Sequence, residues 1–129
     1  MGHIINSGTI YCGFNQLKSL EGSPNLIEGS FYCNDNKLKT LKGGPKIVRD
    51  TFNCGSNELE SLEGGPNIVG DYYCNNNKLI SLNGISEVVN GLFNASNNKL
   101  NIKSLIEIKS DIKLQNLNFK LNDINIEKI

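Results

Sequence analysis

The sequence predicts a mainly β repeat solenoid, and three observations carry that reading. A unit of about 21 residues recurs, since Cys12, Cys33, Cys54 and Cys74 stand 21, 21 and 20 positions apart and Ala95 takes the fifth place. The first part of each unit alternates apolar and polar residues, the period of a half-buried strand. The rest is turn chemistry around glycine and proline, with no helical period sustained long enough for a helix. Internal repeats of this length belong to stacked architectures, because one unit cannot bury its own apolar face.

Taken in chain order, each unit opens on an inward aromatic: Phe31, Phe52, Tyr72 and Phe93, with Ile10 in the first copy. The cysteine lies two residues on and therefore points the same way. A protonated thiol is small and apolar, and cysteine is among the most buried residue types. Next comes an asparagine column, Asn15, Asn36, Asn57, Asn77 and Asn98, placed where the chain leaves the strand. A buried amide must be hydrogen-bonded, so these side chains are expected to form a ladder joining neighbouring turns. Two leucine columns return to the core: Leu17, Leu38, Leu59, Leu79 and Leu100, then Leu20, Leu41, Leu62 and Leu82. Turns follow at Pro24, Pro45 and Pro66, where Gly43–Gly44 and Gly64–Gly65 supply permissive backbone geometry. The apolar pairs Leu26–Ile27, Ile47–Val48, Ile68–Val69 and Val88–Val89 close the unit. One unit offers about five inward side chains, too few to offset the entropy of ordering its backbone, so the coils must share one core. The single deletion, between Val69 and Tyr72, is expected to fall in a loop.

The unit aromatic-x-Cys-x-x-Asn-x-Leu-x-x-Leu resembles the leucine-rich repeat, L-x-x-L-x-L-x-x-N-x-L, with Phe and Cys in two leucine slots. The stretch "FNCGSNELESL" at 52–62 carries the likeness, which extends over residues 5–105. The resemblance implies a parallel β-sheet coil with extended or 3₁₀ segments on the convex side. It departs from the family in the aromatic and cysteine replacements and the Gly-Gly-Pro turns. The whole chain, 1–129, reads as one solenoid domain, with residues 106–129 as a C-terminal β cap. Within the cap, "DIKLQ" at 111–115 reads as one more degenerate strand and "LNFKLNDINIEKI" at 117–129 as closing strands.

Charge and motif content narrow the function. Thirteen basic and thirteen acidic residues balance, which argues against a nucleic-acid partner and a polybasic membrane anchor. No apolar run reaches the length of a membrane span, and no signal peptide is apparent. Four cysteines without a secretion signal point to reduced thiols and a cytoplasmic setting. The cysteines lack zinc-ligand spacing, the one histidine, His3, lies near a terminus, and no nucleophile–base pair is evident. We therefore expect no enzyme activity, no metal and no cofactor. Two alternating columns, Glu21–Lys42–Glu63 and Lys37–Glu58–Lys78, suggest ion-pair ladders between coils.

The outward strand positions are the candidate site. The central column reads Tyr11, Tyr32, Asn53, Tyr73 and Asn94. The column before it contains Ser30, Thr51 and Asp71, and the column after it Asn34 and Asn75. Tyrosine among small polar residues is the composition of a protein-binding surface. The expected partner is another protein, held on this strand face. The alternative is a structural element that pairs with a second copy through an open N-terminal strand edge near Ile10–Cys12. The abundance of Asn, Ile and Lys suggests an AT-rich genome, and the short repeat is similar to bacterial and phage forms. That resemblance implies a bacteriophage accessory protein acting in the host cytoplasm, as an inhibitor of a host enzyme or an anti-defence factor.

Overall fold

The computed structural model describes residues 4–100 and 113–114. Nine parallel strands form one sheet that winds as a β-solenoid of about four turns: β1 (Ile5–Asn6), β2 (Ile10–Tyr11), β3 (Leu26–Ile27), β4 (Phe31–Tyr32), β5 (Ile47–Asn53), β6 (Ile68–Tyr73), β7 (Val88–Val89), β8 (Phe93–Asn94) and β9 (Lys113–Leu114). Two ladders run along the coil. One joins the apolar pairs in the order β1-β3-β5-β6-β7-β9. The other joins the aromatic–Cys segments, with Ile10, Phe31, Phe52, Tyr72 and Phe93 as successive partners. The apolar pairs thus form a hydrogen-bonded strand ladder of their own. No helix or 3₁₀ turn occurs among the described residues.

The core follows the columns. Ile27, Phe52, Cys54, Leu59, Leu62 and Val69 are all fully buried, and each represents a column that repeats from coil to coil. Phe31 and Phe52 stack with centroids 5.9 Å apart, and Tyr72 meets Phe52 edge-on at 5.3 Å. Such pairs add about 0.5–1.5 kcal/mol beyond the area they bury. The four thiols are free, with Cys33, Cys54 and Cys74 buried and Cys12 half-buried at the first coil.

The asparagine ladder forms as expected. The Leu38 N–H donates to Asn57 Oδ1 at 2.9 Å, and Asn57 Nδ2 donates to Cys33 O and Cys54 O at 3.1 and 3.0 Å. Asn36, Asn77 and Asn98 repeat this pattern. Each amide thus satisfies backbone groups of two coils, and each is no more than 9% exposed. The residue before each asparagine adopts a left-handed backbone: Phe14, Asp35, Ser56, Asn76 and Asn97, with φ of 53–57°. Asp and Asn tolerate that region well, a signal the repeat carried at its second variable position. The glycine turns also hold, because Gly43 and Gly64 both have φ of +87°. A Cβ at Gly43 would sit 2.8 Å from Glu21 Cα, so the turn is tight as well as left-handed.

Two expectations are corrected. The deletion between Val69 and Tyr72 lies inside β6, not in a loop. Between Val48 and Thr51 the pairing of β5 with β6 shifts register, so a bulge at Arg49–Asp50 absorbs the extra residue. The proposed ion-pair ladders do not close either. Among the described residues the one ion pair joins Arg49 to Glu28 at 3.5 Å. At exposed positions the gain of about 0–1 kcal/mol does not offset the entropy of holding two long side chains together. At the C-terminus, β9 pairs with β7, which places one strand within 111–115. The remainder of the cap assigned to 106–129 lies outside the described residues.

Among the described residues one core group is unsatisfied. The Tyr72 hydroxyl is fully buried without a hydrogen-bond partner, against Gly65, whose added Cβ would stand 3.0 Å from it. A buried unpaired hydroxyl costs about 1–3 kcal/mol. Tyr72→Phe is therefore expected to raise the denaturation midpoint, and a fall in midpoint would show that the hydroxyl has a partner.

Candidate functional site

The second ladder turns one set of side chains outward. Its register sets Tyr11 beside Tyr32, Tyr32 beside Asn53, Asn53 beside Tyr73 and Tyr73 beside Asn94. The five central residues therefore stand in one row, because strand alternation sends them away from the aromatic and cysteine columns. Tyr11 and Tyr32 lie face to face, with centroids 5.1 Å apart and ring planes 6° from parallel. Tyr11 is 78% exposed and the other four are half-buried.

The asparagines of this row are partly engaged. Asn53 Oδ1 accepts from the Gly55 N–H at 2.9 Å. Asn94 Oδ1 accepts from the Ser96 N–H and hydroxyl at 3.0 and 2.8 Å. These local bonds fix each side chain and turn its amide nitrogen away from the backbone it caps. In the following column Asn34 Nδ2 donates to Asp35 Oδ2 at 2.7 Å. Asn75 leans over Gly55, where an added Cβ would lie 2.9 Å from its Oδ1. Glycine alternates with asparagine in this column because the amide needs that space.

The preceding column does a different job. Ser30 is 8% exposed, and its hydroxyl accepts from the Thr51 N–H at 3.0 Å. Thr9 Oγ1 accepts from the Ser30 N–H at 3.0 Å, and Asp71 Oδ1 from the Leu92 N–H at 2.8 Å. These oxygens stitch one coil to the next at the bend between the ladders, where backbone pairing lapses. Ser30 and Asp71 therefore hold the face together from its margin. Thr51 is half-buried and borders a shallow depression of about 410 Å³ with Arg49, Asp50 and Asp71.

The thiols lie on the other side of the strand. Burial pushes the Cys33 and Cys54 thiols well above the ordinary value, and the neighbouring cysteines push them further. Burial alone raises Cys74. They are protonated core groups across the physiological range. No three His, Cys, Asp or Glu side chains among the described residues are grouped to hold a metal ion. No helix of the described residues is long and apolar enough to cross a membrane.

Sequence reasoning missed Phe14, which is 79% exposed, whereas Leu92, 40% exposed, continues the outward column of Ser30, Thr51 and Asp71. Phe14 holds the left-handed turn position, so its ring is directed outward by backbone conformation and not by strand alternation.

Fold and face together define a β-solenoid repeat protein with an ordered aromatic and amide row on one flank. Compared with protein-family models, with curated proteins and with solved structures, the chain matches none.

Proposed function

We propose that this chain is a non-enzymatic protein-binding module of the leucine-rich-repeat type, which recognises another protein through the row Tyr11, Tyr32, Asn53, Tyr73 and Asn94. The observation that carries the reading is the parallel Tyr11–Tyr32 stack in register with Tyr73. These rings take no part in the core, yet the coil holds them in a fixed array. Tyrosine supplies contact area at low entropic cost and is frequent among binding hot spots. Asn34 and Asn75 border the row and extend its polar margin. The resemblance to short bacterial and phage repeats, with the Asn-, Ile- and Lys-rich composition, supports a phage accessory role in which the face occludes a host enzyme or defence component.

The test is a tagged pull-down from a bacterial lysate with a Tyr32→Ala/Tyr73→Ala control. Neither ring is in the buried core, so the variant is expected to fold and to lose at least tenfold in affinity for the captured protein, about 1.4 kcal/mol. Unchanged affinity in the folded variant sinks the strand-face reading.

A second reading is favoured by the N-terminal end. Ile4, Ile5, Tyr11 and Phe14 are 59–79% exposed there. An apolar depression of about 270 Å³ opens between Ile10, Cys12, Leu17, Leu20 and Phe31. In this reading the chain is an assembly element that pairs with its own copy through the edges of β1 and β2. Recovery of the chain alone in the pull-down favours it.

A further inference from the structure

We propose that the flank built from the Asn-x-Leu-x-x-Leu segments is a self-complementary docking surface for a second copy of this chain. The second coil presents Lys37 and Lys39 on this flank, and the third presents Glu58 and Glu60 at the same two positions. Three of the four are exposed and Glu58 is half-buried. None is in an ion pair with another described residue. Lys18, Lys37, Lys39 and Glu58 line one depression of about 350 Å³. A basic rung and an acidic rung thus lie side by side, about 4.8 Å apart, without neutralising each other by contact.

Two rungs of opposite sign fit a partner that carries the reverse order. A uniformly acidic or basic segment satisfies one rung and is repelled by the other. A second copy turned about a two-fold axis parallel to the strands, between the second and third coils, carries the reverse order by construction. Lys37 then faces Glu58 of the other copy, Lys39 faces Glu60, and both contacts occur twice. On either side Lys18 meets Ile80, which is 58% exposed, so an aliphatic stem covers an apolar side chain. A slip that brings second coil onto second coil sets lysine against lysine. An axis along the solenoid sets Lys37 against Lys39. Charge order therefore selects one register. Exposed pairs each contribute about 0–1 kcal/mol, so the dimer is weak and salt-sensitive. This surface is separate from the tyrosine row and stands or falls independently of it.

Sedimentation of the full chain at low and high ionic strength tests the proposal. The wild type is expected to dimerise at low salt and to dissociate as salt rises. Lys37→Glu/Lys39→Glu and Glu58→Lys/Glu60→Lys are each expected to lose the dimer. An equimolar mixture of the two variants regains it, because every contact is then again between opposite charges. Zero-length cross-linking of isotopically mixed wild-type copies is expected to join the Lys37–Lys39 peptide of one copy to the Glu58–Glu60 peptide of the other. Circular dichroism checks that both variants fold. A wild type that stays monomeric at low salt overturns the proposal. So does a dimer that survives either charge reversal, or a mixture of folded variants that fails to reassociate.

Discussion

Replacing Asn57 with alanine is expected to cost roughly 2–5 kcal/mol, because the buried Leu38 N–H is left unsatisfied at about 1–3 kcal/mol and the bonds to neighbouring carbonyls are lost at about 0.5–1.5 kcal/mol each. Asn57 accepts from Leu38 N–H and donates to Cys33 O, Cys54 O and Gly55 O. The three carbonyls keep a second donor each, Asn36 Nδ2 on Cys33 O, Asn77 Nδ2 on Cys54 O and the Asp35 N–H on Gly55 O, so the Leu38 N–H is the group left without a partner. Asn57→Asp separates hydrogen bonding from shape. Its carboxylate keeps one acceptor but places a second oxygen against three carbonyl oxygens, so the loss at neutral pH equals or exceeds that of alanine. Asn15→Ala is the internal control. Asn15 is exposed and bonds only to Cys12 O and Gly13 O of its own turn, so its loss is expected to stay near or below about 1 kcal/mol. Denaturant unfolding of the three variants reads the difference. Equal losses at Asn57 and Asn15 would falsify the ladder as a major source of stability.

Alkaline pH is expected to unfold the protein cooperatively, through the thiol column. Cys33, Cys54 and Cys74 are buried, and all three have raised pKa values in the folded state. A raised value favours the protonated thiol in the fold. The associated stability is whole below the ordinary thiol value of 9.0 and is lost as pH climbs above it, because the unfolded chain releases protons that the folded chain retains. Each retained proton costs about 1.4 kcal/mol per pH unit, so three thiols give a slope of about 4 kcal/mol per unit. Tyr72, raised first by burial and then by the surrounding thiols, steepens the loss above 10.0. A domain of ordinary stability, about 5–15 kcal/mol, is therefore exhausted within a few pH units. Cys54→Ala is expected to reduce the slope between pH 9 and 10 by about a quarter to a third, since burial raises the half-buried Cys12 as well. Ala95 already occupies the same column fully buried, so alanine is compatible with the site. Stability measured against pH in the presence of reductant decides the matter, and a slope indifferent to Cys54→Ala removes the thiols as its cause.

Much of this molecule is legible in the chain because a solenoid repeats its environments. Phe52, Cys54, Asn57 and Leu59 each see, one coil away, nearly the same neighbours as their counterparts, so each column records one set of constraints five times over. The candidate row was legible for the same reason, since strand alternation alone sets Tyr32 and Tyr73 opposite Phe31 and Tyr72. The margin of the row was not. Ser30, Thr51 and Asp71 share the outward parity of a strand residue, yet the chain bends there and backbone donors need side-chain acceptors. Period-two alternation says nothing about where pairing lapses.

By itself, the sequence determined the coil length, the inward columns, the asparagine ladder and the tyrosine row, all consequences of local periodicity and of burying apolar and amide groups. Only the tertiary structure decided how coils that differ by one residue are reconciled, which it does through a bulge inside the strands. It also decided that the apolar pairs form a second hydrogen-bonded ladder, that Tyr72 buries its hydroxyl unpaired, and that Lys37 and Glu58 stand near each other without an ion pair. Those outcomes depend on distances between coils, set by the packing of every column at once, and no single repeat contains that information.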